Sequence, residues 1–61
     1  MTEKDCELIR LVAEEMSNRE IAEKWGQSVR SVEQRKQRLF RQMGVKNSVG
    51  MVKKALETRL I

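Results

Sequence analysis

Apolar residues recur along this chain at helical spacing, and nowhere with the two-residue alternation of a half-buried strand. Leu8, Leu11, Val12 and Met16 make the first stripe, with Ile9 beside it. Thr2 and Asp5 occupy the two positions of a short capping box, which predicts a first helix from about residue 3 to residue 15. Ser17-Asn18-Arg19-Glu20 is a stronger start signal of the same kind, with Met16 and Ile21 placed as a hydrophobic staple. A short second helix follows to about Trp25, burying Ile21, Ala22 and Trp25. Gly26-Gln27-Ser28 ends it, because glycine accepts a left-handed backbone and serine caps the next helix.

The third helix is predicted from about Val29 to Met43, stopped by Gly44. At about 100° per residue, Val32, Leu39 and Met43 cluster on the inward face, flanked by Val29 and Phe40. Arg30, Gln34, Gln37 and Arg41 cluster on the opposite face, flanked by Glu33 and Arg38. Lys36 falls near the apolar stripe, so its stem packs while its ammonium reaches for water. Val45 then returns to the core, Asn47 or Ser48 caps a fourth helix, and Val49, Val52, Leu56 and Leu60 supply that helix's stripe. The expected fold is all-α, with four helices.

Length confines this pattern to one domain over residues 1–61 with a single small core and neither linker nor repeat. No apolar run approaches the roughly 20 residues needed to cross a bilayer. Met1-Thr2-Glu3-Lys4-Asp5 is polar where a signal peptide would be basic and then apolar, so a cytoplasmic location is expected. Cys6 is the only cysteine and reads as a small apolar filler, with no internal disulfide and no thiolate metal cluster. Histidine is absent, which removes the commonest general base and the commonest metal ligand. The carboxylates are scattered without an acid–base pair, so no catalytic residue, metal or cofactor is assigned and no enzyme is expected. Trp25 reads as the anchor of the second helix against the third, and Lys53 and Lys54 as a solvated outer face.

Charge is distributed unevenly. Residues 1–28 carry four basic and seven acidic side chains, residues 29–46 six and one, and residues 47–61 three and one, for a net +4. A basic helix on a near-neutral scaffold, joined to a preceding helix by a tight glycine turn, is the pattern of a helix-turn-helix. The major groove, roughly 12 Å wide, admits one helix, and base reading needs donors and acceptors on that helix's outer face. Glutamine pairs with adenine in bidentate fashion and glutamate accepts from the cytosine amino group. Glu33, Gln34 and Gln37 are therefore the candidate base readers, while Arg30, Arg35, Arg38, Arg41 and Lys46 are the candidate phosphate contacts.

Several stretches carry a family resemblance. They are Thr2-Glu3-Lys4-Asp5, Leu8-Ile9-Arg10-Leu11-Val12-Ala13, Ser17-Asn18-Arg19-Glu20-Ile21-Ala22, Ser28-Val29-Arg30-Ser31-Val32-Glu33, Met43-Gly44-Val45-Lys46-Asn47 and Leu60-Ile61. In order and without gaps they resemble the LuxR/GerE-type helix-turn-helix, the output domain of many NarL/FixJ-class response regulators and of quorum-sensing regulators. The resemblance implies a third helix that enters the major groove of double-stranded DNA. It also implies a fourth helix that supports homodimers on inverted repeats, and an upstream receiver or ligand-binding domain. By position it places the base-facing sites on Glu33, Gln34 and Gln37, and adds Ser28 and Ser31 to the phosphate contacts. Glu15 stands in place of a usual glycine, which implies a tighter turn or a longer first helix. Trp25-Gly26 stands for a common Leu-x pair, Gln27 for an apolar residue, Arg35 for a frequent histidine and Ser48 for a frequent arginine.

Two other readings share these features. A helix-turn-helix that has lost DNA binding would act as a protein-interaction module through its acidic first half. The promoter-reading region of a sigma factor shares the Glu-Ile-Ala and recognition-helix pattern, although the capped fourth helix after Gly44-Val45-Lys46-Asn47 argues against it.

Overall fold

The computed structural model describes Met1–Ile61 as four helices, α1 (Glu3–Ala13), α2 (Asn18–Trp25), α3 (Val29–Met43) and α4 (Ser48–Glu57). Each begins where a short polar side chain takes up a free helical amide. The Thr2 hydroxyl accepts from the Asp5 amide, that of Ser17 from Glu20 and that of Ser28 from Ser31, each at 3.1 Å; Asn47 Oδ1 accepts from Gly50 at 2.9 Å. At α1 and α2 the box is reciprocal, the Asp5 and Glu20 carboxylates accepting from the Thr2 and Ser17 amides. Of the two caps open for α4, the side chain that fills the role is that of Asn47.

All four helices end in the same way. A left-handed residue reverses the chain, and two amides turn back onto the last carbonyls, the arrangement of a Schellman motif. Gly26 (φ 66°) and Gly44 (φ 69°) supply that conformation after α2 and α3. After α1 it is Glu15 (φ 64°), whose amide donates to Val12 O at 2.9 Å while that of Met16 donates to Leu11 O at 3.1 Å. After α4 it is Arg59 (φ 59°), paired with Leu56 and followed by the Leu60 amide on Ala55 O. The first helix is therefore shorter than expected from the sequence. Its hydrogen-bonding pattern closes at Ala13 because Glu15 does what a glycine would.

The core takes residues from every helix: Leu8, Ile9 and Leu11; Ile21 and Ala22; Val32, Leu39, Phe40 and Met43; Met51 and Ala55. Ile9, expected beside the stripe, is completely buried, because α1 packs against both α3 and α4 and so hides a wider arc than one stripe. The fourth helix departs most from expectation. Met51 and Ala55 face the core and Val52 is half-buried, whereas Val49 is 78% exposed and Leu56 59% exposed. At about 100° per residue, Val49 and Leu56 lie well over a right angle away from Met51. The helix carries two apolar stripes, and the one containing small Ala55 is turned inward. Leu60 and Ile61, half-buried, close the core from the C-terminal side.

Two further side chains tie helices together through polar contacts. Trp25 is half-buried against the core and also clasps α1: its Nε1 donates to the Glu7 carboxylate, and Lys4 Nζ stands 4.7 Å from its ring centroid. An indole needs a partner for its N–H, and an acid one turn from a lysine on α1 provides both an acceptor and a cation for the ring face. Lys54, exposed as expected, also donates its ammonium to Met43 O at 2.6 Å and so ties α4 to the C-terminal end of α3.

Candidate nucleic-acid interface

The turn Gly26–Ser28 sets α3 across α2 with its apolar arc pressed inward, so the whole outer arc of a 15-residue helix is left to solvent. Arg30, Ser31, Glu33, Gln34, Gln37, Arg38 and Arg41 are all exposed along it. Together with Gln27, Ser28 and Arg35 they line one open surface concavity that contains no apolar residue. The three candidate base readers and six of the seven candidate phosphate contacts are thus brought to one surface. Lys46 is the exception. It is exposed in the turn between α3 and α4, beyond this concavity.

Ser28 and Ser31 stand at the start of α3, where the Ser28 hydroxyl accepts from the Ser31 amide and donates to the Ser31 hydroxyl, both at 3.1 Å. Gln27 was not among the site residues read from the sequence. Its signal was only the replacement of an apolar residue by a polar one, and its backbone role, donating to Ala22 O at 2.9 Å, leaves the side chain in the open.

Under the basic arc lies Asp5, which is buried. Its Oδ1 accepts from Arg35 Nη1 at 2.9 Å and stands 3.5 Å from Arg38 Nη2. Its Oδ2 accepts from the Thr2 amide at 3.1 Å. Burial alone would raise this carboxyl's pKa. The Thr2 amide, the Arg35 guanidinium and the Thr2 hydroxyl outweigh burial and hold it below its ordinary value. The Arg35 side chain is turned back toward α1 and is 25% exposed, while that of Arg38 is 54% exposed. The sequence marked Asp5 as a helix cap and gave no sign of this second role, since its partners are 30 and 33 residues away.

A shallower depression beside the main one is lined by Asn18, Glu33, Lys36, Gln37, Phe40 and Ser48. The Lys36 side chain is half-buried, and loss of water pulls its pKa below the ordinary lysine value, offset in part by the nearby Glu33 carboxylate. No group of three His, Cys, Asp or Glu side chains converges to hold a metal ion.

The family model for bacterial regulatory proteins of the luxR family (GerE) matches residues 1–55, from the first cap through most of α4. The chain belongs to that family. No curated protein and no solved structure gives a significant match. The LuxR-family domain is the DNA-binding part of a transcription regulator, in a family of regulators rather than of enzymes. No helix is long and apolar enough to cross a membrane.

Proposed function

We propose that this LuxR-family domain binds double-stranded DNA in a sequence-specific way, with α3 lying in the major groove. The observation that carries the reading is the all-polar concavity, in which Glu33, Gln34 and Gln37 lie among Arg30, Arg38 and Arg41. Base-edge acceptors and donors meet the amides and the acid, and guanidiniums on either side meet phosphates. Lys46 and the hydroxyls of Ser28 and Ser31 extend the phosphate contacts at the two ends of α3.

The exposed Val49 and Leu56 on α4 support a second copy of this chain as the partner, the two domains reading the halves of an inverted repeat. The role of output unit in a two-component response regulator, behind a separate receiver domain in the cytoplasm, rests on the resemblance of the motifs.

Selection of random duplexes by the purified domain at moderate salt, followed by sequencing, tests the reading. Enrichment of a repeated half-site supports it and reads the dimer geometry from the half-site spacing. Retention that ignores sequence and vanishes as salt rises would leave backbone binding alone. Absence of retention at every salt concentration would overturn it in favour of a protein-interaction module.

A further inference from the structure

We propose that Asp5 is a positioning residue for DNA binding, holding Arg35 as a strut so that the Asp5–Arg35–Arg38 cluster offers the phosphates one arginine, Arg38. This rests on the DNA-binding reading and assigns unequal roles to two arginines on the same helix.

The geometry separates the two guanidiniums. Arg35 makes a charge-assisted hydrogen bond of 2.9 Å to a carboxylate that is almost wholly enclosed, and is itself three-quarters covered. Arg38 stands 3.5 Å from the same oxygen, too far for a good hydrogen bond, and is more than half exposed. One carboxylate carries one negative charge, so the three side chains together present a single positive charge, and the more exposed Arg38 delivers it. Withdrawing Arg35 would leave a buried carboxylate without its close partner, which is strongly unfavourable in such pairs. Withdrawing Arg38 forfeits only a long, solvent-screened attraction.

The carboxylate is itself fixed from both sides. Its Oδ2 is occupied by the Thr2 amide while the Asp5 amide donates to the Thr2 hydroxyl. The capping box at the start of α1 thereby aims an oxygen at the underside of the recognition helix. The same box at Ser17 and Glu20 is fully exposed and reaches no other helix.

The salt dependence of binding to a generic duplex measures how many phosphates are neutralised, with a slope of about 0.9 per contact. Three chains suffice: the unaltered domain, Asp5→Asn, and Asp5→Asn combined with Arg35→Gln, each checked for helix content. Asparagine keeps the side-chain shape and one of the two acceptors and removes the charge. Asp5→Asn is expected to steepen the slope by about 0.9, because Arg35 is freed to meet a phosphate. The double variant is expected to return to the slope of the unaltered domain, with Arg38 again the one contact. If both arginines meet phosphates regardless of Asp5, the single variant leaves the slope unchanged and the double variant falls below the original by about 0.9, which overturns the proposal. Should the single variant fail to fold, the double variant, which leaves no unpaired charge in the interior, decides alone. An unaltered domain with no salt-sensitive retention would instead sink the DNA-binding reading itself.

Discussion

The Lys54 ammonium on α4 lies 2.6 Å from the carbonyl oxygen of Met43, the last residue of α3. A cation at a helix C-terminus meets both a free carbonyl and the negative end of the helix dipole. This contact also sets α4 relative to the recognition helix, so the candidate dimer face and the candidate DNA face share one anchor.

Lys54→Ala should therefore lower stability by about 1 kcal/mol, although the residue is largely in solvent. The neighbouring Lys53→Ala, with no such partner, should change stability by less than about 0.5 kcal/mol. Urea unfolding followed by circular dichroism separates the two; equal effects would remove Lys54 from its role as a cap.

Glu15 holds a backbone angle, φ 64°, that costs a residue with a side chain roughly 1 kcal/mol. Glu15→Gly is expected to raise the unfolding free energy by about that amount. Gly44→Ala is expected to lower it comparably through backbone strain alone, because a Cβ there would meet no atom within 4 Å.

Gln34→Ala and Gln37→Ala should each relax base preference at one position, with a loss of about 1–3 kcal/mol of discrimination. Arg41→Ala should weaken binding to every sequence alike and lower the salt slope by about 0.9. Competition against single-base variants of the selected site reads the first effect, and a salt titration the second. A uniform loss in both sets would refute this division of roles.

Leu56→Lys removes an exposed apolar side chain and should leave the unfolding free energy within about 0.5 kcal/mol of the original. The same change should abolish cooperative binding of two copies on an inverted repeat while sparing binding to a single half-site. Gel shift of one-site and two-site duplexes distinguishes these outcomes; cooperativity that survives would move the dimer contact off α4.

Asp5 is harder to protonate in the folded chain than in the unfolded one, because its pKa is lowered from the ordinary 3.8. Its contribution to stability is complete above that value and is lost as pH falls through the lower, folded value. Glu20, fully exposed, has the same sign through its Ser17 hydrogen bonds. Urea midpoints measured downward from neutral pH should therefore drop at the acid end. Asp5→Asn should flatten that drop, and an unchanged acid limb would exclude Asp5 as a contributor.

The parts of this molecule that were legible in advance are those that depend on near neighbours. The caps at Thr2, Ser17 and Ser28, the stop at Gly44 and the outer arc of α3 all follow from residues three or four positions apart. One turn of helix is enough to define them. The concavity of the candidate interface belongs to this group, since nearly all of it comes from one helix and the turn before it.

The misread parts depend on where a distant element comes to rest. The partner of Trp25 is 18 residues away and that of Asp5 is 30, and no spacing rule links an indole to Glu7 or a capping carboxylate to Arg35. On α4 the apolar pattern admits two stripes, and helical period alone cannot rank Val49 and Leu56 against Met51 and Ala55. The sequence by itself determined four helices, most of their caps and a basic outer face on α3, because local hydrogen bonds and side-chain periodicity suffice for those. Only the tertiary structure decided which stripe of α4 is buried, which arginine is tied down and which lysine caps α3, because each depends on packing between helices far apart in the chain.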